Sequence, residues 1–231
     1  APKLVPYGAG SRWALTVNGT SPGPTLRVRP GDRLRLVLDN QTEHATNLHT
    51  HGLHVSPSGN SDNPFVEVRA GERFAYEVAI PPDHPGGLFW YHPHHHGRVA
   101  EQLFAGLFGA IIVEDDFDRL PAVAEARDRL LLVHDATPAG SASTAASASM
   151  MEQMTGREGG VVLVNGVPLP TIQATTGALE RWRIPNASAS RFYRLILSGH
   201  RFSIVAGDGG RLASAADPGS FLLVPSERIE A

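Results

Sequence analysis

The chain has 231 residues and not one cysteine. That absence excludes disulfides, thiolate nucleophiles, iron–sulfur clusters and thiolate-held metals, and leaves any metal chemistry to nitrogen and oxygen donors. An apolar run of ~18 residues or more, the length a membrane-spanning helix requires, is also missing, so no membrane span is expected. Charge of one sign is scarce: the net charge is −3 and the isoelectric point is near 6.4, which removes the electrostatic case for nucleic acid. The opening stretch APKLVPYGAG has no charged segment followed by an apolar one, so no signal peptide is read in this chain. Helical periodicity is rare as well. It is convincing only over residues 119–130, RLPAVAEARDRL, which is expected to be a linker with helical character.

Strand signals are abundant. WALTVNG, TLRVRPGD, RLRLVLDN, RFAYEVAIPP, GLFWYH and LFGAIIVED are short alternating or β-branched runs separated by Gly, Pro and Asn turn signals. A hydrophobic content of 42% is enough to fill real cores. This pattern predicts an all-β chain of Greek-key sandwich or barrel type. Strands resume after the linker in RLLLVHDAT, stop at the small-residue tract 138–149, expected to be a mobile loop, and continue from GVVLVNGVPLPTI to SFLLVPSERIEA. An internal echo supports two copies of one fold, because LTVNGTSPGPTLRVRPGDRLRLVLDN and VLVNGVPLPTIQATTGALERWRIPN share a strand, an Asn-Gly turn, a Pro and further strands. The expected division is a first domain at 1–117, a linker at 118–128 and a second domain at 129–231. The second shows some six convincing strands, and its last segment ends with no protecting charge or proline, so an open edge and an incomplete C-terminus are expected.

Histidine is distributed unevenly. Eight of the eleven histidines fall in two windows, EHATNLHTHGLH at residues 43–54 and GGLFWYHPHHHG at 86–97. Residues i and i+2 of a strand project from the same face, so His49 and His51 point in parallel, as do His92 and His94. Side chains ~6–7 Å apart do not chelate one ion comfortably, but each can hold one of two neighbouring metals. Two such pairs on adjacent strands offer four imidazoles to a multinuclear site. Imidazole suits Cu, Zn, Ni and Fe, and ligand type alone does not name the metal.

NLHTHGLH followed by FWYHPHHHGRVAEQLFAGLFGAIIVEDD resembles the first two of the four copper motifs of multicopper oxidases, the family of laccases, cuprous oxidases and ascorbate oxidase. VNGTSPGPTLRVRPGDRLRLVLDN looks like the family's opening strands, and VNGVPLPTI to LLVPSERIEA like its copper-free middle domain, so the resemblance covers nearly the whole chain. It implies two cupredoxin-like domains of a three-domain enzyme. It implies that His49 ligates a type 2 copper and that His51, His92 and His94 ligate the type 3 pair. Asp62, in GNSDNP, lies where the family has an acidic residue that delivers protons to reduced oxygen; an Asx-turn is the alternative role. The implied reaction couples one-electron oxidation of a phenol or metal ion to four-electron reduction of O2 to water, in a periplasmic or extracellular setting.

The family's late Cys-containing motif and its His-x-x-His-x-His motif are both absent from these 231 residues. The chain is therefore expected to supply half of a type 2/type 3 cluster and no type 1 site, the rest coming from a missing C-terminal domain, and to be inactive alone. The competing reading is a non-catalytic copper-binding or structural cupredoxin-like protein. His95 and His96 exceed the motif and are expected to point away from the cluster. His44, His54 and His84 are not expected to bind metal, with His54 the best placed to support a ligand, and His134 and His200 match no copper motif. Trp90 and Tyr91 are read as packing, and Met150, Met151 and Met154 as loop packing. The substrate is not specified by these residues.

Overall fold

The computed structural model describes residues 2–7, 10–138 and 148–231, so most of the tract expected to be a mobile loop lies outside the described residues. The N-terminal half contains β1 (Pro2–Tyr7), β2 (Gly10–Leu15), β3 (Leu26–Val28), β4 (Arg33–Asp39), β5 (His49–His51), β6 (Arg73–Ala79), β7 (Gly87–His92) and β8 (Gly109–Val113). Strands β3-β8-β7-β5 form one sheet, while β4-β6 and β1-β2 form antiparallel pairs. Helix α1 (Val99–Ala105) enters between β7 and β8 and stops at Gly106, whose φ of 119° closes the last turn.

Strand β7, GLFWYH, is buried at all six positions because both of its faces meet a core. Phe89 and Tyr91 pack with Val28, Val78, Ile111 and Val113 inside the N-terminal sandwich. Leu88 and Trp90 point the other way, into a cluster with Leu103, Phe108 and Ile112 that also takes in Leu132 and Ala187 from the C-terminal half. The strand that ends in His92 thus lies at the seam between the halves. Its position is set from both sides.

The C-terminal half follows a 3-10 turn at Asp116–Arg119 and a five-residue helix, α2 (Pro121–Glu125). Its strands are β9 (Arg127–Leu130), β10 (Val133–Ala136), β11 (Val161–Val164), β12 (Glu180–Pro185), β13 (Tyr193–Leu195), β14 (Ile204–Gly207), β15 (Gly210–Ala216), β16 (Phe221–Leu223) and β17 (Arg228–Glu230). A five-stranded sheet in the order β15-β14-β17-β12-β9 is accompanied by the pairs β10-β11 and β13-β16. Leu131, Val133, Ile184, Phe202, Leu223 and Ile229 form its core. The chain is all-β with short helices, in two cupredoxin-like sandwich halves.

The echo between the halves has a geometric counterpart. Asn18-Gly19 and Asn165-Gly166 all take positive φ, at 51° and 88° and at 52° and 81°, the signature of a type I′ turn. Val17 exchanges backbone hydrogen bonds with Thr20, and Val164 with Val167.

Three expectations are corrected. The helix expected over 119–130 shrinks to Pro121–Glu125, which buries no side chain, and the rest becomes β9, paired in parallel with β12. A segment without a buried helical stripe gains more by docking on a sheet, here reinforced by the Arg129–Glu180 ion pair at 2.7 Å. The last strand is not an open edge: β17 is central, between β14 and β12, and Ala231 exchanges hydrogen bonds with Trp182. The edges of that sheet are β9 and β15, and the Ala and Ser side chains of β15 gave no strand signal. Finally, the three methionines do not pack. Met150, Met151 and Met154 lie on an exposed helical turn, α3 (Met150–Thr155), started by a Ser149/Glu152 capping box.

Candidate metal centre

Strands β5 and β7 run antiparallel with His49 opposite His92 and His51 opposite Trp90. This register puts His49, His51 and His92 on one side of the sheet, while His94 follows the last residue of β7 and is not placed by the strand. The approach to β5 is fixed by α1, where Gln102 donates to Ala45 O at 2.8 Å and accepts from Thr46 at 2.9 Å. Asn47 holds the other side: its Oδ1 accepts from the His94 backbone N–H at 2.6 Å, and its Nδ2 donates to Pro64 and Val66 carbonyls.

His49, His51 and His92 each present a ring nitrogen within 4.8 Å of the others. The His51 Nδ1 and His92 Nε2 atoms are 3.2 Å apart. His94 is not in that group of three, but its ring centroid lies 5.1 Å from that of His49. Trp90 forms a floor, with its ring 4.3 Å from His92 and 5.2 Å from His51.

Hydrogen bonds fix which nitrogens are available. His49 Nδ1 donates to the Asp62 carboxylate at 3.0 Å, and His92 Nδ1 donates to Pro93 O at 2.8 Å. Both rings then keep an Nε2 lone pair. Asp62 also accepts from the Thr50 backbone N–H at 2.8 Å, so it ties the loop after β5 to the strand and orients His49. Burial pushes His92 down to about 3 and, together with the positive charge of Arg228, pushes His51 down to about 4. Burial alone would raise the Asp62 carboxyl, but the hydrogen bond from His49 and those from Thr50 carry it below its ordinary value. The result is neutral imidazoles at His51 and His92 near one carboxylate, the protonation state in which histidine ligates metal.

The remaining histidines separate from the cluster. His95 Nε2 pairs with Glu67 at 3.2 Å, and His96 is exposed and stacked on Phe65. His54 is exposed and its ring lies against His84, whose Nε2 accepts from the His54 backbone N–H, so His54 supports no cluster ring. His44 and His200 are exposed, and His134 is buried against Phe108 and Arg12. Trp90 and Tyr91 are buried, and the Tyr91 hydroxyl donates to Pro24 O. Asn47 and Arg228 were not read from sequence as parts of this region, since nothing in their local pattern sets them apart from ordinary loop and strand residues.

The cluster fits copper on its donor set and on its unfilled bonding capacity. Its donors are imidazoles, which suit borderline metals and stand with Cu(II) at the head of the stability order. His94 Nδ1 is buried without a hydrogen-bond partner among the described residues. Buried polar atoms are rarely left so, and such a nitrogen beside converging imidazoles has bonding capacity to spare for a ligand.

Fold and site together give an all-β sandwich protein with a half-buried cluster of converging imidazoles, a candidate centre for a transition metal. Two family models, both described as multicopper oxidase, match residues 3–118 and 128–224, and the chain belongs to the multicopper oxidase family. It is 32% identical over 219 residues to the multicopper oxidase mco of Staphylococcus haemolyticus, covering 94% of this chain and 47% of that protein. It is 30% identical to the cell division protein FtsP of Edwardsiella tarda, covering 93% and 45%. Among solved structures it is similar to a multicopper oxidase from Campylobacter jejuni described as a metallo-oxidase, with a TM-score of 0.82, 32% identity and coverage of 95% and 45%. The chain spans about half the length of the curated relatives it matches. Among the described residues no helix is long and apolar enough to cross a membrane.

Proposed function

We propose that this chain supplies half of a type 2/type 3 copper cluster in an extracytoplasmic oxidase that couples one-electron oxidation of a phenol or metal ion to four-electron reduction of O2 to water. In this reading residues 1–117 carry the ligands, 118–128 link, and 129–231 form a copper-free domain. His49 would hold the type 2 copper, and His51, His92 and His94 would hold the type 3 pair. The missing ligands and the type 1 site would come from a further cupredoxin domain, equivalent to the part of the relatives that this chain does not span. Family membership alone does not carry the proposal, because a relative named as a cell division protein matches at 30%. The observation that carries it is the convergence of His49, His51 and His92 within 4.8 Å, with Nδ1 of His49 and of His92 hydrogen-bonded outside the cluster, to Asp62 and to Pro93 O.

Bound copper supplies one-electron redox chemistry. The chain's own residues arrange the site for it. Asp62 holds the proton of His49 on Nδ1, keeps its ring in one orientation, and as an ionised carboxylate can accept a proton and return it. Burial of His92 and His51 keeps both rings neutral at any physiological pH. Trp90 walls one side of the cluster with an apolar face and limits water there.

Cu(II) titration of the metal-free chain, followed by chelator competition, tests the reading. Replacing His51 or His92 by Ala is expected to weaken binding by about 100-fold, more than the loss of a residue that merely supports a ligand. Unchanged binding in both variants would sink the copper assignment. The 231-residue chain alone is expected to show no sustained O2 consumption with a phenolic donor.

A further inference from the structure

We propose that Arg228 is a positioning residue of the imidazole cluster, a guanidinium from the C-terminal half that clamps together the two strands carrying the His-x-His pairs. The inference rests on the copper reading above. Arg228 opens β17 and is 4% exposed. Its Nε donates to the Leu88 carbonyl at 3.2 Å, on the strand that ends in His92. Its flat face lies 5.7 Å from the Phe89 ring centroid. On the other strand it presses against Gly52, the residue that follows His51. A Cβ built on Gly52 would stand 2.5 Å from Arg228 Nη2 and 3.2 Å from its Cζ, and Gly52 has a φ of 86°. Only glycine both adopts that backbone and admits the guanidinium so closely.

The charge is anchored from its own side. Asp208 Oδ1 pairs with Arg228 Nη1 at 2.8 Å and accepts from the Arg228 backbone N–H at 2.7 Å. One planar fork therefore reaches the acid of its own half, a carbonyl of β7 and the turn leaving β5. That turn sets where His51 points, and His51 Nδ1 must meet His92 Nε2 across 3.2 Å. A lysine carries the charge but has no fork to span these partners at once. On this account the copper-free half is not a spacer, because it fixes ligand geometry through a single side chain.

The test is Cu(II) affinity by chelator competition, with the EPR spectrum of the bound ion as a second readout, in the chain and in Arg228→Met, Arg228→Lys, Arg181→Met and His51→Ala. Arg228→Met is expected to weaken Cu(II) about tenfold and to change the EPR signature, as loss of a residue that orients a ligand does, with Arg228→Lys falling in between. Arg181→Met removes the ion pairs with Asp118 and Glu230, neither of which lies on β5 or β7, and is expected to lower the melting temperature while leaving Cu(II) affinity in place. Wild-type affinity in Arg228→Met together with loss in His51→Ala overturns this inference and spares the copper reading. Wild-type affinity in both overturns the two together. Equal losses in Arg181→Met and Arg228→Met also overturn it, since the effect would then be general loosening. Should Arg228→Met fail to fold, the same comparisons are read from Arg228→Lys.

Discussion

The imidazole cluster on β5 and β7 is half-buried and the ionic network on β12 and β17 is buried; both are polar, and both are assembled from distant parts of the chain. They are completed differently. In the network, Arg183 has a side chain 1% exposed and is paired on every arm: with Glu230 at 2.7 Å, Asp128 at 2.8 Å and Asp118 at 2.9 Å. Arg181 pairs with the same Glu230 and Asp118. Burial alone would lower Arg183, yet the surrounding acids raise it, so the guanidinium is held charged. In the cluster, His94 Nδ1 lacks a partner among the described residues and the neighbouring rings face one another. Satisfied donors mark a structural joint, and unsatisfied ones among convergent imidazoles mark a place kept for a ligand.

If that contrast is right, the largest stability effect should come from the network and leave copper alone. Glu230→Ala strands Arg183 and part of Arg181 as buried, underpaired cations. Breaking a buried pair from one side costs about 3–5 kcal/mol. Urea unfolding should show this as a lowered midpoint at an unchanged slope. Cu(II) affinity of the folded variant should stay at the wild-type value. A destabilisation below ~1 kcal/mol would mean that the network is incidental to the fold.

His134 tests whether burial by itself imitates metal readiness. Its ring is fully buried beside Phe108 and Arg12, its Nδ1 lacks a partner among the described residues, and it is pushed down to about 3, first by burial and then by the charge of Arg12. Among the described residues its ring neighbour is Phe108, and no other histidine ring packs against it. A histidine depressed in the folded state stabilises fully above its unfolded value near 6.5, and that contribution fades as pH falls toward the folded value. From pH 6.5 down to about 3, His134 should therefore add ~1.4 kcal/mol per pH unit of acid sensitivity. His134→Gln, which can still accept from Arg12, should flatten the stability curve by that slope and leave Cu(II) binding as it was. Copper loss in this variant would break the distinction between a merely buried imidazole and a converging set.

How much of this was legible in the sequence depends on how local the cause was. Strand β7 was legible because GLFWYH is one unbroken apolar run, and β4 because RLRLVLD alternates with the pleat. The convergence of His49, His51 and His92 was legible because the strand period of two puts residues i and i+2 on one face, whereas His94 lies beyond the end of β7, where that period does not apply. Helix α1 was not: VAEQLFA is only seven residues long and continues into the apolar run of β8 without a helical stop signal before Gly106. Strand β15 was not either, since GRLASAA has few strand-forming side chains and is held by backbone pairing to β14. The central place of β17 came from pairing with both β14 and β12, which no local feature of RIE encodes. For the same reason Arg228 read as an ordinary strand residue. Its partners Leu88 and Gly52 belong to the other half of the molecule.

The finest probe of the contrast is Asp62, the one carboxylate hydrogen-bonded to a cluster ring among the described residues. It joins the two modes of completion, because it is fully engaged like the acids of the network yet serves a ring whose Nε2 is left open. The proton-delivering role expected from the family resemblance needs a carboxylate able to take a proton, whereas the contacts to His49 and Thr50 at 2.8–3.0 Å are those of an orienting group. Asp62→Asn keeps the shape and one good acceptor but removes the charge and turns the second oxygen into a donor aimed at His49 Nδ1–H. Cu(II) affinity should fall about tenfold, the low end for losing a residue that orients a ligand. The stability change should be about 1.5 kcal/mol, since a charge-assisted hydrogen bond is weakened rather than deleted. Asp62→Glu moves the carboxylate by one methylene and should lose affinity too if orientation is the function, whereas a pure proton store would tolerate it. Wild-type Cu(II) binding in both variants would leave Asp62 as a turn residue and His49 without a reason for its tautomer.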